Sequence, residues 1–233
     1  AVTGRIKGIK AQKIVQGQSF SFYVHITPPP PPYEEIETMP LEEAIEAIER
    51  LTSDEAARIL EQVSTERVAE ILETMAIERA ATIIAQLSIG KAADVMLAMD
   101  RNIAASVILE LDLTTATQLL ERMVEVDIIG AAKVFEIAAL LYLPGPVSIL
   151  EPMNAEPLAK LLIEIAKLPS TPETAAKLLE AESLEKAVEV VKFIIELGAL
   201  DDLGKTFDHL STKRLNDIFG ELTVDERVQV LPH

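Results

Sequence analysis

Asp54-Glu55-Ala56-Ala57-Arg58-Ile59-Leu60-Glu61-Gln62-Val63 is the stretch that decides the fold, because the chain repeats its pattern every twelve residues. Ala57, Ala69, Ala81, Ala93 and Ala105 recur in step. Behind them come Ile59/Leu60, Ile71/Leu72, Ile83/Ile84, Val95/Met96 and Val107/Ile108, then Val63, Met75, Leu87, Met99 and Leu111. Within one unit the apolar set Ala56, Ile59, Leu60 and Val63 falls at i, i+3, i+4 and i+7, one face of a 3.6-residue helix. Each unit is therefore one short amphipathic helix. An isolated helix needs about 12–15 residues to be even marginal in water, so these must bury their stripes against neighbouring repeats. The expected fold is mainly α: a right-handed superhelical solenoid of short helical repeats of about 12 residues, with an amino-terminal β-hairpin arm.

The turns between units agree with that count. Pro40, Thr52, Ser64, Ala76, Ser88, Asp100 and Asp112 precede the successive helices. Most carry side chains that accept from the free amides of a first turn, and proline suits a helix start. The recurring alanines let adjacent helices approach closely. After Met123 the alignment loosens, and Leu143-Pro144-Gly145-Pro146 punctuates the chain with residues that cannot continue a helix. The period then returns in another phase, with Leu203, Thr206, Phe207 and Leu210 matched by Leu215, Ile218, Phe219 and Leu222. A shorter echo links Ala175, Ala176, Leu178 and Leu179 to Ala187, Val188, Val190 and Val191.

The first 27 residues follow a different rule. In Ser19-Phe20-Ser21-Phe22-Tyr23-Val24-His25-Ile26 the apolar residues alternate, which predicts a strand with Phe20, Phe22, Val24 and Ile26 on one face. Upstream, Thr3 to Val15 carries Ile6, Ile9, Ile14 and Val15, and Gln16-Gly17-Gln18 reads as a hairpin turn. Five prolines, Pro28 to Pro32, then form a stiff polyproline II spacer. The domain reading is thus a strand arm over 1–27, a polyproline linker over 28–33, a helical repeat section over 34–142, a Pro/Gly break over 143–146 and a second helical section over 147–233. A lone hairpin is marginal in water, so the strands must lie on the helical body or join a neighbouring chain.

Charge divides unevenly between these parts. Residues 1–33 hold Arg5, Lys7, Lys10 and Lys13 and no acidic side chain, so against a whole-chain charge of −17 the remainder carries −21. So acidic a body is a poor partner for nucleic acid, whose phosphates demand the opposite sign. Hydrophobic residues reach 49% at a mean hydropathy of +0.25, and a thin solenoid of that composition is expected to cover some surface with other subunits. The most apolar stretch, Val126 to Leu150, is interrupted by Asp127, Lys133, Glu136 and the Pro-Gly-Pro run, so no membrane span is expected. The start at Ala1-Val2 resembles the residue left by signal-peptide removal, which gives an extracellular or cell-surface expectation.

Little in the sequence points to chemistry. His25, His209 and His233 are scattered, and no HExxH, CxxC, phosphate loop or nucleophile motif occurs. Asp201, Asp202 and Asp208 with His209 form one local cluster, which reads as a solvated acidic helix start rather than a metal site. The expectation is a protein that is not an enzyme, with no catalytic, cofactor-binding or metal residues and no cofactor.

The run from Leu51 to Met123, with the unit quoted at the outset, resembles the cytoplasmic N domain of MgtE-type magnesium transporters and the related helices of the flagellar switch protein FliG. That resemblance implies a superhelical fold, and no counterpart of the regulatory domains and membrane pore that follow in such transporters is expected here. Units such as Val63-Ser64-Thr65-Glu66-Arg67-Val68-Ala69-Glu70-Ile71-Leu72 are similar also to helical repeats of secreted archaeal surface proteins that carry carboxyl-terminal sorting domains. Two functions are open on these grounds. The first is a self-assembling subunit of an extracellular filament, tube or sheath, its partner another copy of itself, with Arg5, Lys7, Lys10, Lys13, Phe20, Phe22, Val24 and Ile26 as the assembly interface. The second is a soluble adaptor or divalent-cation-sensing helical scaffold.

Overall fold

The computed structural model describes residues 9–15, 18–24, 30–142, 144–168 and 172–230, and helices dominate them. The first repeats are α1 (Tyr33–Thr38), α2 (Leu41–Glu49), α3 (Ser53–Leu60), α4 (Thr65–Glu73), α5 (Ile77–Ile84), α6 (Ile89–Ala98) and α7 (Arg101–Glu110). Two longer helices follow, α8 (Leu113–Val126) and α9 (Ile128–Leu141). The remainder is α10 (Pro144–Leu150), α11 (Ala155–Lys167), α12 (Pro172–Ala181), α13 (Leu184–Glu196), α14 (Leu200–Phe207), α15 (Thr212–Glu221) and α16 (Val224–Val230). Upstream, the backbone of β1 (Ile9–Val15) pairs antiparallel with β2 (Gln18–Val24), Lys10 opposite Tyr23 and Lys13 opposite Phe20. Of the expected arm, Arg5, Lys7 and Ile26 lie outside the described residues.

All seven helix starts read from the sequence are the observed N-caps, Pro40 through Asp112. Thr52 and Glu55 form a reciprocal capping box, while Asp100, accepting from the Asn102 and Ile103 amides, and Asp112, accepting from the Thr115 hydroxyl (2.6 Å) and amide, are held below the usual carboxylate range by those hydrogen bonds. The apolar stripe of each unit is buried: Ala57, Ala69, Ala81, Ala93 and Ala105 are core residues, as are Leu60, Leu72, Ile84, Met96 and Ile108. Ile59, in an early repeat, is only half-buried, whereas Ile71, Ile83, Val95 and Val107 at the same position are fully enclosed.

Packing runs by alternate helices. From α2 to α16 each even-numbered helix lies against the next even one, and from α3 to α15 each odd one against the next odd one, giving two layers with the core between them. The alternation passes through α10 without interruption. Pro144-Gly145-Pro146 closes the gap after α9 and opens α10, as a proline at the start of a helix can. A Cβ at Gly145 would stand 2.8 Å from Leu109 Cδ2 of α7, so a larger residue there would have to displace that side chain. Farther on, Gly198 ends α13 with φ +72°, the Ala199 amide donating to Ile194 O and the Gly198 amide to Ile195 O.

A second contact locks the layers end to end, since the amino terminus of one helix docks on the carboxyl terminus of the helix three earlier. Ser64 donates its amide (2.8 Å) and hydroxyl (2.6 Å) to Glu37 of α1. Ser88 does the same to Glu61 at the end of α3 (3.0 and 2.5 Å), and Ser211 to Glu180 of α12 (3.1 and 2.6 Å). Asp100 N donates to Glu73 (2.5 Å) and Asn154 N to Glu121 (2.7 Å). Ser64 thereby holds the Glu37 carboxyl below its ordinary range.

Beside each of several such junctions the third residue of the incoming helix is basic. Arg67 donates to the carbonyls of Ile36 and Met39, Arg79 to Leu51 O (2.6 Å), Lys91 to Val63 O (2.6 Å), Lys186 to Met153 O and Arg214 to Leu179 O (2.9 Å). These are the carbonyls that a helix end leaves without partners. The acid caps the incoming amides and the base caps the outgoing carbonyls.

Candidate interaction surface

With the helix ends spent on each other, the chemistry left to the molecule lies on its lateral faces. The clearest relief is on α13. Its buried stripe, Ala187, Val190, Val191 and Ile194, faces the core, which leaves Glu185, Glu189 and Lys192, at i, i+4 and i+7, along the outside. Leu184, Val188, Glu185, Glu189 and Lys192, with Glu221 from the end of α15, line an open groove of about 600 Å³. Glu189 also lines an adjoining depression of about 400 Å³ that reaches α11 and α8, where Phe193 and Pro157 are flanked by Glu121, Glu125 and Glu156.

Some of these carboxylates have structural work. Glu121 holds the α11 cap, Glu125 pairs with Arg122 at 2.8 Å and Glu156 with Lys160 at 2.7 Å. Glu185, Glu189 and Glu221 are exposed, and among the described residues no hydrogen bond or ion pair engages them. Lys192 lies in the field of Glu226. The groove therefore combines an apolar floor with a rim whose free charge is negative, and it has no group in a position to act as a nucleophile. Such a surface can bind a basic, partly apolar segment.

Close to the same helix lies the least comfortable group of the body. Glu182, between α12 and α13, is 6% exposed and its Oε1 has no partner, as is also true of Arg214 Nε beside it. Burial pushes the Glu182 carboxyl above its usual range, the Glu151 carboxylate adds to that, and Lys186 and Arg214 oppose it.

The residues singled out from the sequence fare differently. Asp201 and Asp202 sit in the first turn of α14 and Asp208 caps its far end, about 10 Å away at 1.5 Å per residue, so the cluster does not converge. Asp202 instead pairs with Lys205 at 2.8 Å, and His209 is exposed. Among the described residues no group of three or more His, Asp or Glu is arranged to hold a metal ion, and no helix is long and apolar enough to cross a membrane. For the expected assembly interface, Lys10, Lys13, Phe20, Phe22 and Val24 fall on the paired strands, while Arg5, Lys7 and Ile26 are outside the described residues. Sequence reading missed the groove. Its signal was the acidic run opposite the apolar stripe of α13, which in sequence looks like any solvated helix face.

Residues 33–125 match the family described as the MgtE intracellular N domain, the stretch from α1 to the last turn of α8. The match bears out the resemblance read from Leu51 to Met123 and extends it to the first two helices. No curated protein and no solved structure matches the chain.

Proposed function

We propose that this chain is a non-enzymatic, right-handed superhelical scaffold that holds a basic partner segment against the acidic groove of α13 and α15. One observation carries the reading: Glu185, Glu189 and Glu221 ring an apolar floor and take no part in the bonding that holds the fold together. Glutamates at helix ends elsewhere, such as Glu37, Glu61 and Glu180, are consumed by the repeat junctions. The likeness of residues 33–125 to the MgtE intracellular N domain supports the helical scaffold part of this reading.

A lysine/leucine alternating peptide, followed by fluorescence anisotropy, tests this. Binding to the full chain should weaken as salt rises, and Glu185→Gln with Glu189→Gln and Glu221→Gln should weaken it at least about tenfold. The matched change Glu42→Gln, Glu43→Gln and Glu66→Gln at the other end should leave it within about twofold. Equal binding by both triple variants would show that the peptide reads net charge alone, and the groove would not be the site.

A further inference from the structure

We infer that the groove's occupant is the basic arm, residues 1–27, of a second copy of this chain. The inference rests on the groove being a binding surface and names what fills it. Two features of the arm answer two of the groove, and a third asks for a covering surface. Arg5, Lys7, Lys10 and Lys13 stand without a single acidic neighbour in residues 1–33, and the groove rim offers Glu185, Glu189 and Glu221 unpaired. Phe20, Phe22, Val24 and Ile26 supply apolar side chains at every second position, and the groove floor is Leu184 and Val188 with Phe193 beyond. In the arm the backbone of Ile9–Val15 pairs with that of Gln18–Val24 as a two-stranded ladder, an element that is marginal in water until a surface covers it.

Reach decides that the copy is a different one. The arm joins the body at α1, and α13 lies five spacings along the odd layer from α3, about 40–50 Å at the 8–10 Å between packed helices. Residues 25–32, fully extended, span at most about 29 Å and the seven-residue strands beyond them add about 25 Å, so on its own chain only the tip of the arm would come near α13, while Ile9, Lys10, Tyr23 and Val24 at its base would fall short of the groove. The contact is therefore heterologous, the arm of one molecule on the groove of the next, and it propagates unless its ends are blocked.

Sedimentation velocity of the full chain at low salt tests it with two sets of neutralising changes. The arm variant carries Arg5→Gln, Lys7→Gln, Lys10→Gln and Lys13→Gln, and the groove variant Glu185→Gln, Glu189→Gln and Glu221→Gln. The parent should associate with rising concentration. Each variant alone should need at least about tenfold more protein to do so. An equimolar mixture should give a one-to-one heterodimer and nothing larger, because only one arm and one groove in each pair remain intact. A parent that stays monomeric, association that survives the groove variant, or a mixture without heterodimer overturns the inference. If in any of those cases the lysine/leucine peptide still binds the groove, the scaffold reading stands while its proposed occupant falls; if the peptide also fails, both fall.

Discussion

A single carboxylate shows how the array treats charge that its junctions do not use. Glu182 is buried with an unpartnered oxygen, and burial raises its pKa, so the folded state holds its proton more tightly than the unfolded chain does. Above the folded value the group is charged and costs stability, and as pH falls toward the unfolded carboxyl value that cost disappears. Glu182→Gln should therefore stabilise the protein at neutral pH, by about 1 kcal/mol, and flatten the dependence of Tm on pH above the carboxylate range. Thermal melts at neutral and mildly acidic pH check it. A variant less stable than the parent at neutral pH would mean that attraction from Lys186 and Arg214 outweighs the burial. The carboxyls of Glu37, Glu55, Asp100, Asp112 and Glu226 have the opposite sign. Each has a depressed pKa, and the stability it contributes is lost as pH falls through its folded value.

At the scale of the helix, much was legible in the sequence and one rule was not. The period, the buried face and all seven caps from Pro40 to Asp112 follow from local pattern, because a short helix announces its stripe and its first turn within a few residues. The docking of each helix end on the helix three earlier joins residues 27 to 35 positions apart, such as Glu37 to Ser64 and Arg214 to Leu179, and a twelve-residue repeat does not display that register. A clue was present nonetheless. Arg67, Arg79, Lys91, Lys186 and Arg214 all occupy the third position of a helix, where the positive end of the helix dipole disfavours a cation. That misfit is resolved by the carbonyls of another helix. The Pro-Gly-Pro run expected as a break at 143–146 opens α10, whose packing follows the same alternation as its neighbours.

Two stability predictions belong to this scale. Leu72, fully enclosed in α4, should cost at least about 4 kcal/mol when changed to aspartate, whereas the exposed Glu70→Ala should stay within about 0.5 kcal/mol despite its ion pair with Arg67. Denaturant melts decide it, and a Leu72→Asp protein as stable as the parent would put the stripe on the wrong face. A double-mutant cycle on Glu61→Gln and Ser88→Ala should show coupling of about 1 kcal/mol across the α3–α6 junction. Additive single effects would contradict the end-to-end lock.

For the whole molecule, residues 34–233 carry a charge of −21, a field that attracts cations and repels anions. Millimolar magnesium should raise the melting temperature by about 2–4 °C through screening and diffuse binding. Calorimetry should find no saturable micromolar site, because no set of side chains among the described residues offers convergent oxygens. A stoichiometric tight site would instead favour a cation sensor. The groove itself was illegible in the sequence, since only the packing of α13 beside α15 brings Glu185 and Glu189 together with Glu221, and the depression beside it needs α8, α11 and α13.

Methyl NMR on the full chain, titrated with the lysine/leucine peptide, tests the central claim most directly. The account predicts that the methyl groups of Leu184 and Val188 shift first and saturate together, while those of Leu41 and Ile45 in α2 stay in place. Shifts concentrated instead at Leu140 and Leu141, exposed at the end of α9, would place the binding surface elsewhere and contradict it.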